Sequence, residues 1–268
     1  SRPTGGLWCA EAWYSDDDGD EGTEAARRMR QVEAKADSLH QLGRHLTCLE
    51  YLEGVADELP SPATRRQVEV LWRLARAYHQ VACSQGGALS REERHSYVSK
   101  GLATAFCAVQ ADGGSARAHM WYGILLSKVG EFEGRKAAVL NLFEARDHLA
   151  RAQQINGSDP HTHYRMGRWC LDAADMRGLN RWWASFAYAE PPSSSHREAL
   201  SHFLRAEEEE AEGFERVQNR LCIVKCFDAL GQGDAAEEWL DTVVQMAPEV
   251  EGDEEAIGDA RRLKRRWE

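Results

Sequence analysis

Apolar residues recur three and four positions apart in stretch after stretch from about residue 24 to residue 250. This is the period of an amphipathic helix, whose positions i, i+3, i+4 and i+7 share one face. Glycine, proline and serine separate the stretches, and no convincing period-two alternation marks a strand. The pattern predicts an all-α fold. Residues 1–23, with the run "SDDDGDEG", lack periodicity and read as a disordered acidic linker. Folding is expected to start near Thr23 or Glu24, with one domain over 24–268.

The helical stretches fall into five pairs when their small residues and glycine-bearing turns are aligned. In the first pair Ala36 and Leu39 precede a turn at Gly43, and Leu52 and Val55 line a second helix that stops at Pro60. The last pair has Val224 and Phe227 before Gly231, then Ala236, Leu240 and Val243 before Pro248, at matching offsets. Between them lie three more pairs. The second joins Leu71, Leu74, Ala75 and Tyr78 to Gly101, Ala105 and Ala108. The third joins Tyr122, Gly123, Leu126, Gly130 and Phe132 to Ala145, Leu149 and Ala152, and the fourth joins Met166, Gly167 and Cys170 to Ala199, Phe203 and Ala206.

Small residues at these places let two helices approach closely, while large ones fill the space between neighbouring pairs. The arrangement resembles the tetratricopeptide pattern, whose ideal period is about 34 residues. Here Ala36, Ala75, Gly123, Gly167 and Val224 are separated by 39, 48, 44 and 57 residues, so the repeats are divergent and carry insertions. The longest insertion contains Trp182, Trp183, Phe186 and Tyr188. These aromatics either pack over the array as an extra helix, or line a ligand groove or touch a membrane interface.

In stacked pairs of this kind the first helix of each pair lines the concave face. Pairs of positions four apart on those helices give the candidate lining: Glu33 and Asp37, Trp72 and Arg76, Met120 and Ile124, Tyr164 and Arg168, Leu221 and Lys225. Lys128, Leu171 and Asp228 extend it by about a turn. Leu71, Leu74 and Tyr78 take the packing positions, which leaves Trp72 and Arg76 to look inward. Apolar groups beside cations suit an amphiphile with an anionic head, or an acidic peptide helix. The alternative is that long helices cover this face.

The net charge of -11 argues against a generic nucleic-acid binder, because displacing phosphate counterions needs a basic surface. The one strong basic run is "RRLKRRWE" at the end of the chain, which reads as a solvated final helix or as a segment able to lie on an anionic membrane or a tubulin tail. No apolar run reaches the roughly 20 residues that a membrane-spanning helix needs. The seven cysteines show no paired metal-type spacing and read as reduced thiols in a cytosolic setting. Cys222 and Cys226 share a helix face as packing residues. His161 and His163 sit two apart at a helix start and make a poor metal pair, and "EEEE" at 207–210 is a solvated helix end. No phosphate loop, nucleophile elbow or zinc-protease signature is present, so neither an enzyme nor a resident metal or cofactor is expected.

The blocks "LWRLARAY", "AHMWYGILLSKVGEFEG", "HYRMGRWC" and "PPSSSHREALSHFLRAEE" together resemble the regulator of microtubule dynamics family over about residues 64–250. The resemblance implies a membrane-anchored scaffold with a cytosol-facing tetratricopeptide-like domain. From the family's mitochondrial member it further implies a tether between the outer membrane and the endoplasmic reticulum, with a domain that binds and transfers phospholipid. The family's usual N-terminal hydrophobic anchor is not within this chain, which opens at Ser1. A short aromatic motif in an acidic tract binds a reticulum-resident receptor in that member. "EAWYSDDDGDE" departs from its order of residues and reads as a plain acidic linker, so receptor contacts are expected largely outside this chain. The leading expectation is a noncatalytic lipid-binding or lipid-transfer module that holds a phospholipid. The alternative is a protein-interaction scaffold, including microtubule association.

Overall fold

The computed structural model describes residues 24–59, 63–84, 89–175, 194–211 and 213–267. Among these residues the chain is built of eleven α-helices and one 3-10 turn, without strands. The linker expected over 1–23 and the aromatic insertion around 182–188 lie outside the described residues. The helices are α1 (Glu24–Gln41), α2 (His45–Ala56), α3 (Val68–Cys83), α4 (Arg91–Ala111), α5 (Ala116–Glu133) and α6 (Arg135–Ile155). They continue with α7 (Pro160–Asp175), α8 (His196–Glu207), α9 (Arg216–Ala229), α10 (Gly233–Gln245) and α11 (Asp253–Trp267). The first ten match the five expected pairs, and α11 follows the last. The chain divides into two compact units, Ser1–Phe132 and Glu133–Glu268.

In the first unit, α1 ends because Gly43 takes φ +66°, a left-handed conformation that costs glycine little. Gly43 N–H then donates to the His40 carbonyl at 2.9 Å and Arg44 N–H to the Leu39 carbonyl at 2.9 Å, a Schellman closure of the helix end. The chain turns into α2, whose Cys48, Leu49 and Leu52 pack with Val32 and Ala36 of α1 and with Val70, Leu74, Ala77, Tyr78 and Val81 of α3. A capping box starts α4: the Ser90 hydroxyl accepts from Glu93 N–H at 3.1 Å, and the Glu93 carboxylate accepts from Ser90 N–H at 2.7 Å. Gly101 of α4 lies where an added Cβ would meet Tyr78 Cβ at 3.0 Å and Leu125 at 3.1 Å. The small residue therefore sets how closely α3, α4 and α5 approach.

The second unit repeats this logic. Gly167 of α7 faces the Phe203 ring so closely that an added Cβ would fall 2.6 Å from it, and Phe203 is fully buried. Asn219 ties α8 to α9 by donating to the Phe203 carbonyl at 3.0 Å and to the Glu207 carboxylate at 2.7 Å. Gly231, at φ +70°, ends α9 as Gly43 ends α1, with Gly231 N–H on the Asp228 carbonyl at 3.0 Å and Gln232 N–H on the Phe227 carbonyl at 2.9 Å. Val217, Leu221 and Val224 of α9 pack with Leu240 and Val243 of α10 and with Ile257 and Ala260 of α11.

Candidate functional site

The first-helix positions chosen from spacing fall on α1, α3 and α5 in the first unit. Trp72 is 6% exposed, more buried than its neighbour Leu71, and its indole N–H donates to the Glu69 carboxylate at 2.8 Å. Two guanidiniums stand near its ring, that of Arg73 at 4.2 Å and that of Arg76 at 5.2 Å from the centroid. Arg76 donates to Asp37 at 2.7 Å. Arg73 donates to Asp37 at 2.9 Å and to Glu69 at 2.8 Å, with Glu33 at 3.9 Å. Glu33 and Asp37 thus share a face with Trp72 and Arg76, and their acids are the counter-ions of its cations.

Burial pushes the Asp37 carboxyl up, but hydrogen bonds and charge from Arg73 and Arg76 outweigh it and hold the group below its usual range. Glu33 goes the other way, because burial outweighs the attraction of Arg73. Spacing alone did not point to Arg73, which lies one residue from Trp72 and makes more ionic contacts than Arg76. An acidic residue four before it, Glu69, was the available signal.

Met120 is buried, Ile124 is half-buried, and Lys128 is 29% exposed and pairs with Glu131 at 2.8 Å. Lys128 also borders a cleft of about 450 Å³ with Ala82, Cys83, Leu89, Arg91, Arg94, Glu131 and Phe132. Arg91 donates to the Glu131 carbonyl at 3.2 Å and stands 5.4 Å from the Phe132 ring, which His95 stacks at 5.2 Å. Arg91 and Arg94 come from the second helix of their pair, so a rule confined to first helices passed over them.

In the second unit the positions fall on α7 and α9. Tyr164 is 1% exposed and packs against Phe203 and edge-on to Phe214. Burial is the main cause that pushes its hydroxyl up to about 12. Arg168 is exposed and stands near the Tyr164 hydroxyl, the Cys222 thiol and the Asp172 carboxylate. Leu171 and Leu221 are buried, and Lys225 and Asp228 are exposed.

Beside them Glu215 is bound by Arg165 and lies 3.1 Å from His161 Nδ1. Burial pushes the Glu215 carboxyl up, yet the charge of Arg165 and the hydrogen bond to His161 outweigh it and bring the group down to about 2. His163 faces away from His161, with Nε2 on the Gly157 carbonyl at 2.9 Å. Burial pushes the thiols of Cys170 and Cys226 up to about 11 and 12 and raises Cys222 as well, which keeps all three protonated at neutral pH.

Trp182, Trp183, Phe186 and Tyr188 lie outside the described residues. No described helix is long and apolar enough to cross a membrane.

Residues 32–267 match the family described as Regulator of microtubule dynamics protein 1-3. Among curated relatives, Regulator of microtubule dynamics protein 1 of Pongo abelii is 35% identical over 195 residues, covering 73% of this chain and 61% of that protein. Regulator of microtubule dynamics protein 3 of Rattus norvegicus is 30% identical over 244 residues, covering 90% of this chain and 49% of that one. The chain therefore spans about half to three-fifths of the length of these two relatives. A tetratricopeptide-repeat protein of Thermus thermophilus shares the fold at TM-score 0.60 and 15% identity, over 87% of this chain and 98% of its own. Helix pairs, turn glycines and sequence agree, and the chain belongs to the regulator of microtubule dynamics family.

Proposed function

We propose that this chain is a noncatalytic interaction module that engages acidic protein surfaces, the microtubule among them, through cations left accessible on its helix faces. One contrast carries this reading. Trp72, Met120, Tyr164, Leu171 and Leu221 are each no more than 8% exposed, whereas Arg168 and Lys225 are exposed and Lys128 is partly so. Apolar surface already packed within the chain adds little on binding a ligand, since the gain of about 25 cal/mol per Å² needs area still in contact with water. Accessible cations keep their reach toward an acidic partner and speed its approach. Arg261, Arg265 and Arg266 of α11 are exposed as well.

The relatives' name supports the choice of partner, because tubulin carries acidic tails. Co-sedimentation with stabilised microtubules across a salt series tests it. Pelleting should weaken as salt rises, and fall further in Arg168→Glu/Lys225→Glu and on deletion of residues 261–266. Absence of pelleting at low salt would refute direct binding.

The cleft of the first unit favours a second reading. Arg91, Arg94 and Lys128 stand around Leu89 and Phe132 with one carboxylate, Glu131, which binds Lys128 at 2.8 Å, so the lining carries a surplus of cations beside apolar groups, as an anionic phospholipid head group would need. In this reading the full-length protein is cytosol-facing at a mitochondrial outer membrane or endoplasmic reticulum contact and takes up lipid there. Native mass spectrometry of the purified chain, followed by flotation with phosphatidylserine vesicles, decides it. Stoichiometric lipid lost in Lys128→Glu supports the reading, and an empty chain that ignores vesicles removes it.

A further inference from the structure

Close approach of α7 and α8 assembles a group of side chains unrelated to these cations. Gly167 admits the Phe203 ring, and one turn further along α7 is Cys170, 1% exposed. On α8, Glu198 and His202 are four residues apart and therefore share a face. One sulfur, one carboxylate oxygen and one imidazole nitrogen from these three residues all lie within 4.8 Å of one another.

We propose that Cys170, Glu198 and His202 form a three-ligand site for a divalent metal ion of zinc type, which clamps α7 to α8 and leaves a fourth position to water. Three observations support this. The donor set mixes thiolate, imidazole and carboxylate, which suits zinc and not the all-oxygen preference of magnesium or calcium. Metal–ligand bonds of about 2.0–2.3 Å give tetrahedral edges near 3.3–3.7 Å, so modest side-chain rotations close the present separation.

The charge also balances. Binding releases the Cys170 proton to solvent, and the resulting thiolate and the carboxylate carry two negative charges, which a divalent ion neutralises where an unpaired buried thiolate would be costly.

A supporting layer is in place around the ligands. The Ser194 hydroxyl donates to Glu198 at 2.9 Å. The Gln153 side-chain amide from α6 stands 3.3 Å from His202 Nδ1 and 3.0 Å from His163 Nδ1, and an amide can turn either its oxygen or its nitrogen to that ring edge. Such partners fix the orientation of ligands. Glu198 is exposed, so an ion has a path from solvent.

The test is titration of the whole purified, metal-stripped chain with Zn²⁺ against a chromophoric chelator, and in parallel with Co²⁺ read by absorbance. One equivalent of Zn²⁺ should bind, the melting temperature should rise, and Co²⁺ should give a thiolate-to-cobalt charge-transfer band. Cys170→Ser should abolish the band, and His202→Gln should weaken Zn²⁺ binding at least about 100-fold. His196→Gln is the control, because His196 pairs with Asp175 at 2.8 Å on the same two helices and should change affinity less than about threefold.

The proposal is overturned if the wild-type chain takes up no stoichiometric Zn²⁺, if its Co²⁺ form lacks the thiolate band, or if His196→Gln loses as much affinity as His202→Gln. The first two readouts use the unaltered chain, so they decide the matter even where a variant fails to fold.

Discussion

Gly167→Ala puts the packing of the second unit to a quantitative test. An alanine Cβ at this place would stand 2.6, 2.7 and 3.0 Å from three carbons of the Phe203 ring, against an ordinary carbon contact of about 3.5 Å or more. The ring would have to retreat by roughly 0.9 Å. It has little room to do so: Phe203 is fully buried, Tyr164 packs against it at 6.1 Å between centroids, and Asn219 holds its carbonyl at 3.0 Å. Overpacking of this kind costs about 1–3 kcal/mol, and the size of the overlap argues for the upper end. Replacing glycine by alanine inside a helix returns nearly 1 kcal/mol, leaving a net loss of about 2 kcal/mol.

Gly258 of α11 supplies the control in the same unit. Its added Cβ would meet only the far end of Arg262 at 3.6 Å, so Gly258→Ala should gain about 0.5–1 kcal/mol. Urea unfolding followed by far-ultraviolet circular dichroism should separate the two variants by about 2–3 kcal/mol. Adding Phe203→Leu to Gly167→Ala should recover part of the loss, and the double-mutant cycle isolates the coupling. Equal stability of Gly167→Ala and Gly258→Ala would refute the view that this glycine sets the approach of α7 and α8.

Three further outcomes follow from other contacts. Glu215 titrates near 2 when folded and from a reference value of 4.5, so its contribution is fully present above about pH 4.5 and lost as pH falls toward 2. The shift corresponds to about 3 kcal/mol, and Glu215→Gln should flatten that part of the acid-unfolding curve; an unchanged curve would show that Arg165 and His161 do not hold the ionised form. Asp37→Asn should cost about 2–3 kcal/mol in thermal or urea unfolding, because Arg73 and Arg76 are only 10% and 11% exposed and would lose their shared counter-ion. Because Asp37 is 36% exposed, the cost stays below that of a fully buried pair. Ser90→Ala removes the hydroxyl of the α4 capping box and should cost about 1 kcal/mol, measured in the same way.

The fold was legible where one local rule decides the outcome. Gly43 and Gly231 stand at matching offsets in the first and last pairs, and both close their helices with the same two hydrogen bonds at positive φ. Gly101 and Gly167 fall in the small-residue register, and each proves to be a place where no Cβ fits without displacement. Such features concern a helix and its immediate neighbour, and a single sequence carries them. The candidate site depends on longer reach. Helical spacing put Arg76 beside Trp72 on one face, but it did not show that Asp37, thirty-nine residues earlier, already binds that guanidinium at 2.7 Å.

The same difference in reach explains which cations remain available. Arg76 and Arg168 occupy equivalent positions in their repeats, and sequence pattern treats them alike. In the structure Arg76 is bound at 2.7 Å by an acid from the preceding helix pair, while Arg168 stays exposed, with the Tyr164 hydroxyl, the Cys222 thiol and the exposed Asp172 carboxylate of its own helix around it. A guanidinium buried against a carboxylate must give up that ion pair before it binds another anion, whereas an exposed one whose nearest acid is itself in solvent keeps more of its charge for a partner. Binding energy for an acidic ligand should therefore come more from Arg168 than from Arg76. Single reversals to glutamate separate the two effects: Arg168→Glu should lower binding with little change in stability, and Arg76→Glu should lower stability first. If Arg76→Glu instead weakens binding while the fold is unchanged, the cation beside Trp72 is the one the partner uses, and the Asp37 pair opens on binding.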